Sequence, residues 1–428
     1  MTPDSKARPT PAPLCPIHRS GMPGMSGIVL HIFVAIAAAM VGIGICAMRT
    51  TSPAEVQIAE GVSVAVMLLL AVYLWRVTRT AKGILPLLIC VGIFLSYLTN
   101  SAIPAAVLSG LLFAVGEGSV LLAVQPKSRL TWFPMIAIAA YAVTALVSRD
   151  LLGSLAALIP FPPMVVLALA TRHSAGKEDG LTRVGVICVT SLTLGVSLGA
   201  MILFSVYRLL GTLEPAALME ALDAARLSLI EQITSAEIPE GLKEETVAEL
   251  KEMLTYANAE NTVNSVFNLL PALFVVAVNL MTTVAQSIQH ASLHAFGFEK
   301  SITTRVKAFR MSLISCLVFF VAYVVALLEG TATSTLAGTV AQNIYIILMP
   351  GLALAGMLRI TAGLVRKGTR GMGCLFFLVI LIPCLFLFAP IVFAAFEVIG
   401  HVFESILTVI KSPDDDDDFP SAPPSDRS

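Results

Sequence analysis

Eleven predominantly apolar runs alternate with short polar connections along the chain, at 27–48, 56–75, 84–99, 103–124, 132–148, 151–171, 184–210, 263–290, 311–328, 340–364 and 373–396. A helix needs about 20 apolar residues to cross the roughly 30 Å hydrocarbon core of a bilayer. Such a segment must close its backbone hydrogen bonds within itself, because lipid offers no partner to a stray amide. The pattern therefore predicts an all-α membrane protein with about eleven transmembrane helices. Composition agrees, with 57% hydrophobic and 13% charged residues, where an average soluble domain has roughly half and one quarter.

The charges are distributed rather than mixed. With a cytoplasmic N-terminus, the cytoplasmic turns hold Arg76, Arg79 and Lys82; Lys127 and Arg129; Arg172, Lys177 and Arg183; Lys300, Arg305, Lys307 and Arg310; and Arg366, Lys367 and Arg370. The opposite turns carry almost no positive charge, and this alternation predicts a multi-pass plasma-membrane protein in that orientation. The same count places residues 211–262 outside, with eleven acidic residues against Arg226, Lys243 and Lys251. Within that insert Leu218, Leu222, Ala225, Leu229 and Ile233 recur at helical spacing, as do Val247, Leu250 and Leu254, and Ile238-Pro-Glu-Gly241 separates them. The expectation is an acidic extracytoplasmic helical hairpin whose second arm runs without interruption into the eighth span.

Six segments follow. Residues 1–25 form a Pro-rich cytoplasmic leader expected to be disordered, 26–172 a six-helix N-terminal membrane bundle, and 183–210 a seventh span. Residues 211–262 form the acidic hairpin, 263–410 a C-terminal membrane bundle, and 411–428 a disordered acidic tail. Residues 397–410 are too short to span and are read as interfacial.

The eighth run, NTVNSVFNLLPALFVVAVNLMTTVAQSIQH, is unusually polar for a span. At about 100° per residue, Asn261, Asn264, Asn268, Asn279, Thr283, Gln286 and His290 project within one narrow sector. Lipid would leave those amides unsatisfied at a cost of a few kcal/mol each, so the stripe is expected to face other helices or water. Two readings survive: interhelical bonding at about 0.6–2 kcal/mol apiece, or one wall of a polar cavity or solute path. Pro271 removes one backbone bond from the same helix. Glu117, in AVGEGSVLL, is read as the one acidic residue well inside an apolar run, with Gly116 and Gly118 leaving room for another backbone. A buried carboxylate is a functional candidate, and a neutral acid bonded between helices is the other reading. Thr99-Asn100-Ser101 makes a tight turn, placing Asn100 among the candidate lining residues. Leu158-Ile-Pro-Phe-Pro-Pro163 breaks the sixth run, as happens where backbone lines protein or a cavity. Arg149-Asp150 pairs with itself or caps its turn, and Arg359 snorkels to the cytoplasmic face.

Reaction machinery is not legible. No G-x-x-x-x-G-K-[ST], H-E-x-x-H or G-x-S-x-G occurs, so the expectation is a non-enzyme with no cofactor, no metal and no nucleic-acid partner. Six of the seven cysteines lie in apolar runs and no C-x-x-C occurs, which reads as packing rather than disulfide chemistry.

The order of spans, with the Asn/Pro-marked helix NTVNSVFNLLPALFVVAVNL followed by QNIYIILMPGLALAGMLRI, resembles the YybS-like family, a group of bacterial polytopic membrane proteins of uncharacterised activity. The resemblance covers most of residues 27–400. That family in turn is similar to the substrate-binding S components of energy-coupling factor transporters, six-helix proteins that work with a separate membrane subunit and ATPases. The resemblance implies an unidentified small-molecule ligand and a membrane or ATPase partner subunit beside the lipid bilayer. It also implies a docking face on the first helix, where Ala35 and Ala39 have the A-x-x-x-A spacing of that family. The extra spans and the acidic insert depart from a minimal S component.

Overall fold

A computed structural model describes residues 24–48, 53–77, 84–124, 132–174, 181–235, 254–296, 311–329, 335–366 and 390–410. Among these the regular structure is helical, with no strand. Among the described residues seven helices are long and apolar enough to cross a membrane: Ile28–Ala47, Val56–Val77, Ile103–Val124, Gly153–Ser174, Arg183–Leu210, Tyr256–Ala295 and Leu336–Ile360. Three shorter apolar helices, Ile89–Thr99, Phe133–Ser148 and Leu313–Glu329, fall on further predicted runs. Most of the eleventh run lies outside the described residues, as do residues 1–23 of the leader, the tail from 411 and the proposed second hairpin arm up to 253.

The chain forms two compact units, Met1–Phe309 and Arg310–Ser428. The boundary expected at 262/263 therefore falls after the long eighth span, which belongs with the first six helices and not with the C-terminal ones. The first unit holds α1 (Gly24–Ala47), α2 (Pro53–Val77), α3 (Ile84–Thr99), α4 (Ile103–Val124), α5 (Trp132–Ser148), a 3-10 turn (Gly153–Leu158), α6 (Phe161–Ser174), α7 (Arg183–Leu210), α8 (Pro215–Thr234) and α9 (Tyr256–Ala295).

Helix α4 is the hub. It is buried on nearly every side, and its glycines explain how. A Cβ on Gly110 would sit 2.8 Å from the Ala37 carbonyl oxygen of α1, and one on Gly116 2.9 Å from the Ala285 carbonyl oxygen of α9. Without these side chains the helix backbones approach closely, the mode of packing that replaces hydrophobic driving force inside a bilayer. Helices α2 and α7 instead leave large apolar side chains outward, Leu68, Val72 and Trp75 on one and Leu192, Val196 and Leu203 on the other. Surfaces of this kind suit lipid rather than water.

The sixth run breaks where expected. The 3-10 turn ends at Leu158 with Ile159 as its cap, and α6 starts at Phe161 with Pro162 and Pro163 in its first turn, where a missing amide hydrogen costs no helical bond. Helix α7 opens on Thr182, whose side chain accepts from the Gly185 amide at 3.2 Å, and closes on Gly211 at φ 72°.

Helix α9 stays helical through Pro271 over 40 residues, roughly 60 Å of rise and twice the apolar thickness of a bilayer. Its N-terminal end leans on α8 through Ile230, Ala259 and Val263, and Arg226 pairs with Glu260 at 3.6 Å. One expectation is corrected here. The chain does not run uninterrupted into this helix, because Leu254 and Thr255 form a turn and α9 begins at Tyr256, after an extended Thr255 at ψ 144°. Threonine is common at an N-cap, although the Thr255 side chain makes no capping bond here.

The second unit contains α10 (Leu313–Glu329), α11 (Leu336–Arg366) and α12 (Pro390–Ile410). Cys316, Phe319, Leu352 and Ala394 form its core. A Cβ on Gly356 would overlap the Phe393 carbonyl, so this glycine brings α11 and α12 together. Residues 397–410, read from sequence as a separate interfacial piece, instead continue one helix from Pro390.

Candidate functional site

A seam of polar side chains threads the first unit where α4, α6, α7 and α9 meet. Glu117 of α4 is completely buried. Its Oε1 accepts a short hydrogen bond from the Ser292 hydroxyl of α9. Three residues earlier on the same face of α9, Gln289 accepts at Oε1 from the Thr171 hydroxyl of α6 at 3.1 Å. One turn from Gln289, Gln286 accepts from Arg183 Nε of α7 at 3.2 Å, while Arg183 Nη2 donates to Ser287 at 3.3 Å. Gly116 lies against the backbone of α9, the close approach expected beside the carboxylate, whereas Gly118 lies against the Met164 thioether of α6 and not against a backbone.

The seam is not fully satisfied. Glu117 Oε2 and Gln289 Nε2 are enclosed and have no hydrogen-bond partner among the described residues. One is an acceptor and the other a donor, and an open buried polar atom ordinarily costs about 1–3 kcal/mol. Such groups are compensated by an ordered water or a bound molecule.

Helix α9 places the predicted stripe beside this face rather than in it. Its buried inner face runs through Val278, Thr282, Ala285, Gln289 and Ser292, centred roughly 100° around the helix from the Asn/His stripe. Gln286 alone of the stripe is buried and bonded into the seam. Asn264, Asn279 and His290 are half-buried, whereas Asn268 is exposed. Since Glu117 meets Ser292, Asn279 stands 13 residues away along α9, roughly 20 Å at 1.5 Å per residue, and Asn268 is farther still. The register of α4 on α9 thus keeps Glu117 apart from Asn268 and Asn279. Asn100 is exposed at φ 48°, a left-handed turn that asparagine tolerates. Ala35 is half-buried and Ala39 is 4% exposed in the core, with the Ala39 carbonyl accepting from Thr144 of α5 at 3.2 Å. The face read as a partner-docking surface is occupied inside the unit.

Sequence reasoning missed Gln289, Ser292, Thr171 and Arg183. The signal was the small-or-polar series Thr282, Ala285, Gln289, Ser292, masked by the more conspicuous asparagines.

A second charged group sits in the C-terminal unit. Arg359 of α11 donates from Nε to Glu397 Oε2 of α12 at 2.8 Å and from Nη1 to Glu404 at 3.2 Å. His401 Nε2 lies 3.2 Å from the other Glu397 oxygen, and the Glu397 side chain is 2% exposed. Arg359 therefore bridges helices instead of snorkelling, and Glu117 is not the one buried acid. Asp150 caps its turn by accepting from the Gly153 amide at 2.9 Å. Its ion-pair partner is Arg208 of α7 at 2.7 Å, not the adjacent Arg149. No group of three His, Cys, Asp or Glu suited to a metal ion occurs among the described residues.

Apolar helices of spanning length, lipid-compatible outer faces and a buried polar seam define a multi-pass membrane protein. A family model, DUF2232, described as a predicted membrane protein, matches residues 131–396, more than half of the chain, and the chain belongs to that family. The matched segment begins at α5, so it includes Thr171, Arg183, Gln289 and Ser292 but not Glu117. No curated protein and no solved structure shows a significant match.

Proposed function

We propose that this protein binds a small polar solute in the seam between α4, α6, α7 and α9 and assists its passage across the plasma membrane, with the N-terminus cytoplasmic. The observation that supports it is the pair of open buried atoms in the seam, Glu117 Oε2, an acceptor, and Gln289 Nε2, a donor. The role is binding and passage rather than catalysis. The resemblance to YybS-like proteins, and through them to S components, adds a membrane or ATPase partner as the source of energy. A non-transporting membrane scaffold is the second reading. It is favoured by the satisfied bonds Thr171–Gln289 and Arg183–Gln286, which are what interhelical bonding alone would produce.

The two readings separate in one experiment. Purified full-length protein is examined by native mass spectrometry for a retained small molecule, beside the double variant Glu117→Leu with Ser292→Ala. Removing both partners of a buried bond changes stability little, on the order of 1 kcal/mol. Under the solute reading the variant keeps its melting temperature but loses the retained molecule and any complementing activity. A variant that folds and remains active would sink the solute reading in favour of the scaffold.

A further inference from the structure

A groove of about 820 Å³ runs along α2 where it faces α1 and the end of α9. Its wall on α2 is graded. Ala65, Leu69 and Val72 are purely apolar, Tyr73 follows, and Arg76 lines it toward the end of the helix. Arg76 lies in the last turn of α2, one residue from the end of the span Val56–Val77. The Tyr73 ring is fixed by Phe33 at a centroid distance of 4.4 Å and by the edge of Phe113 at 5.6 Å. Among the described residues Arg76 has no carboxylate partner, in contrast to Arg208, Arg226 and Arg359.

An apolar trough bordered by the outward-facing Leu68, Leu69 and Val72, with a guanidinium that has no carboxylate partner among the described residues at the end of the span, matches an amphiphile with an anionic head. Tyrosine suits the interfacial level between the two, and cationic side chains at that level attract anionic lipid. We infer that this groove is a binding site for an anionic phospholipid, with one acyl chain along Leu69 and Val72 and the phosphate on Arg76. A zwitterionic lipid would fill the trough as well but would gain less at Arg76, because its own ammonium competes for the phosphate.

The test uses the full-length protein in vesicles containing both phosphatidylglycerol and phosphatidylcholine, followed by extraction and native mass spectrometry of the lipid that stays bound. Retained lipid is expected to be enriched in phosphatidylglycerol over the vesicle composition. Arg76→Gln should lower that enrichment about fivefold. Arg76→Lys should keep most of it, and Val72→Trp, by filling the trough, should reduce retention of both lipids. Equal retention of the two lipids by the native protein overturns the site, as does unchanged enrichment in Arg76→Gln or unchanged retention in Val72→Trp. A cross-link showing residues 1–23 seated in the groove overturns it too. If Arg76→Gln aggregates on size exclusion, Arg76→Lys and Val72→Trp still decide the matter.

Discussion

At the scale of single residues, glycine positions make the sharpest claims. Gly116 faces the carbonyl of Ala285, which is backbone and cannot yield, whereas Gly118 faces the flexible end of Met164. Gly116→Ala should cost about 1–3 kcal/mol through overpacking, and Gly118→Ala clearly less, because a thioether adapts. Thermal unfolding of the two purified variants checks the order; equal losses would mean α4 and α9 are not in close contact. Asp150 carries a pH dependence. The Gly153 amide, and after it Arg208, hold its carboxyl below the usual carboxylate range. The carboxylate form is therefore favoured by folding, and its contribution is full above the ordinary aspartate value and lost as pH falls through the lowered one. Melting temperatures of native protein and Asp150→Asn should differ at neutral pH and converge in acid. The sequence displayed Glu117 and its glycines plainly, but not that Arg208, 58 positions on, would take Asp150 from its neighbour Arg149.

At the scale of elements, α11 and α12 are joined by a group that no apolar run advertised. Gly400 leaves room for the Arg359 guanidinium to lie across α12, and Glu397 holds it from a site that is 2% exposed. Glu397→Ala strands that guanidinium partly out of solvent and should destabilise the unit by up to about 3 kcal/mol. Glu404 is half-exposed, so Glu404→Ala should cost less than about 1 kcal/mol. A melt in which both variants lose equally would contradict the burial seen here. Glu397, His401 and Glu404 recur at i, i+4 and i+7, a spacing legible in the sequence. It becomes one face only when 390–410 is taken as a single helix, as it is in the structure. At α9 the reverse holds: the apolar periodicity crosses Thr255, whereas the helix begins at Tyr256. Periodicity continues through a cap, so it cannot by itself find one.

At the scale of the whole molecule, the first ten apolar runs fall on helices among the described residues, while the partition does not follow the sequence. The eighth span joins the first unit because its small and polar inner face fits the glycines of α4, and that fit depends on both helices at once. Orientation is a separate question with a direct measurement. Asp223 on α8 is exposed, whereas Ile230 is buried against α9. A cysteine at Asp223, in a background without the exposed Cys90 and Cys188, should react with a membrane-impermeant reagent added outside intact cells. Labelling only after lysis would reverse the orientation drawn from the basic loops.

The sequence by itself determined that this is an all-helical, multi-pass membrane protein, because lipid forces each apolar run to close its own hydrogen bonds and leaves little other choice. It also marked Glu117 as exceptional, since a carboxylate is costly in such a run wherever the run ends up. Only the tertiary structure decided which polar residues meet. Rotation and register of α9 against α4, α6 and α7 selected Gln286, Gln289 and Ser292 over the Asn268 and Asn279 stripe. A rotation of roughly 100° about a helix axis moves every side chain to another neighbour, and nothing within a single helix specifies which neighbour that will be.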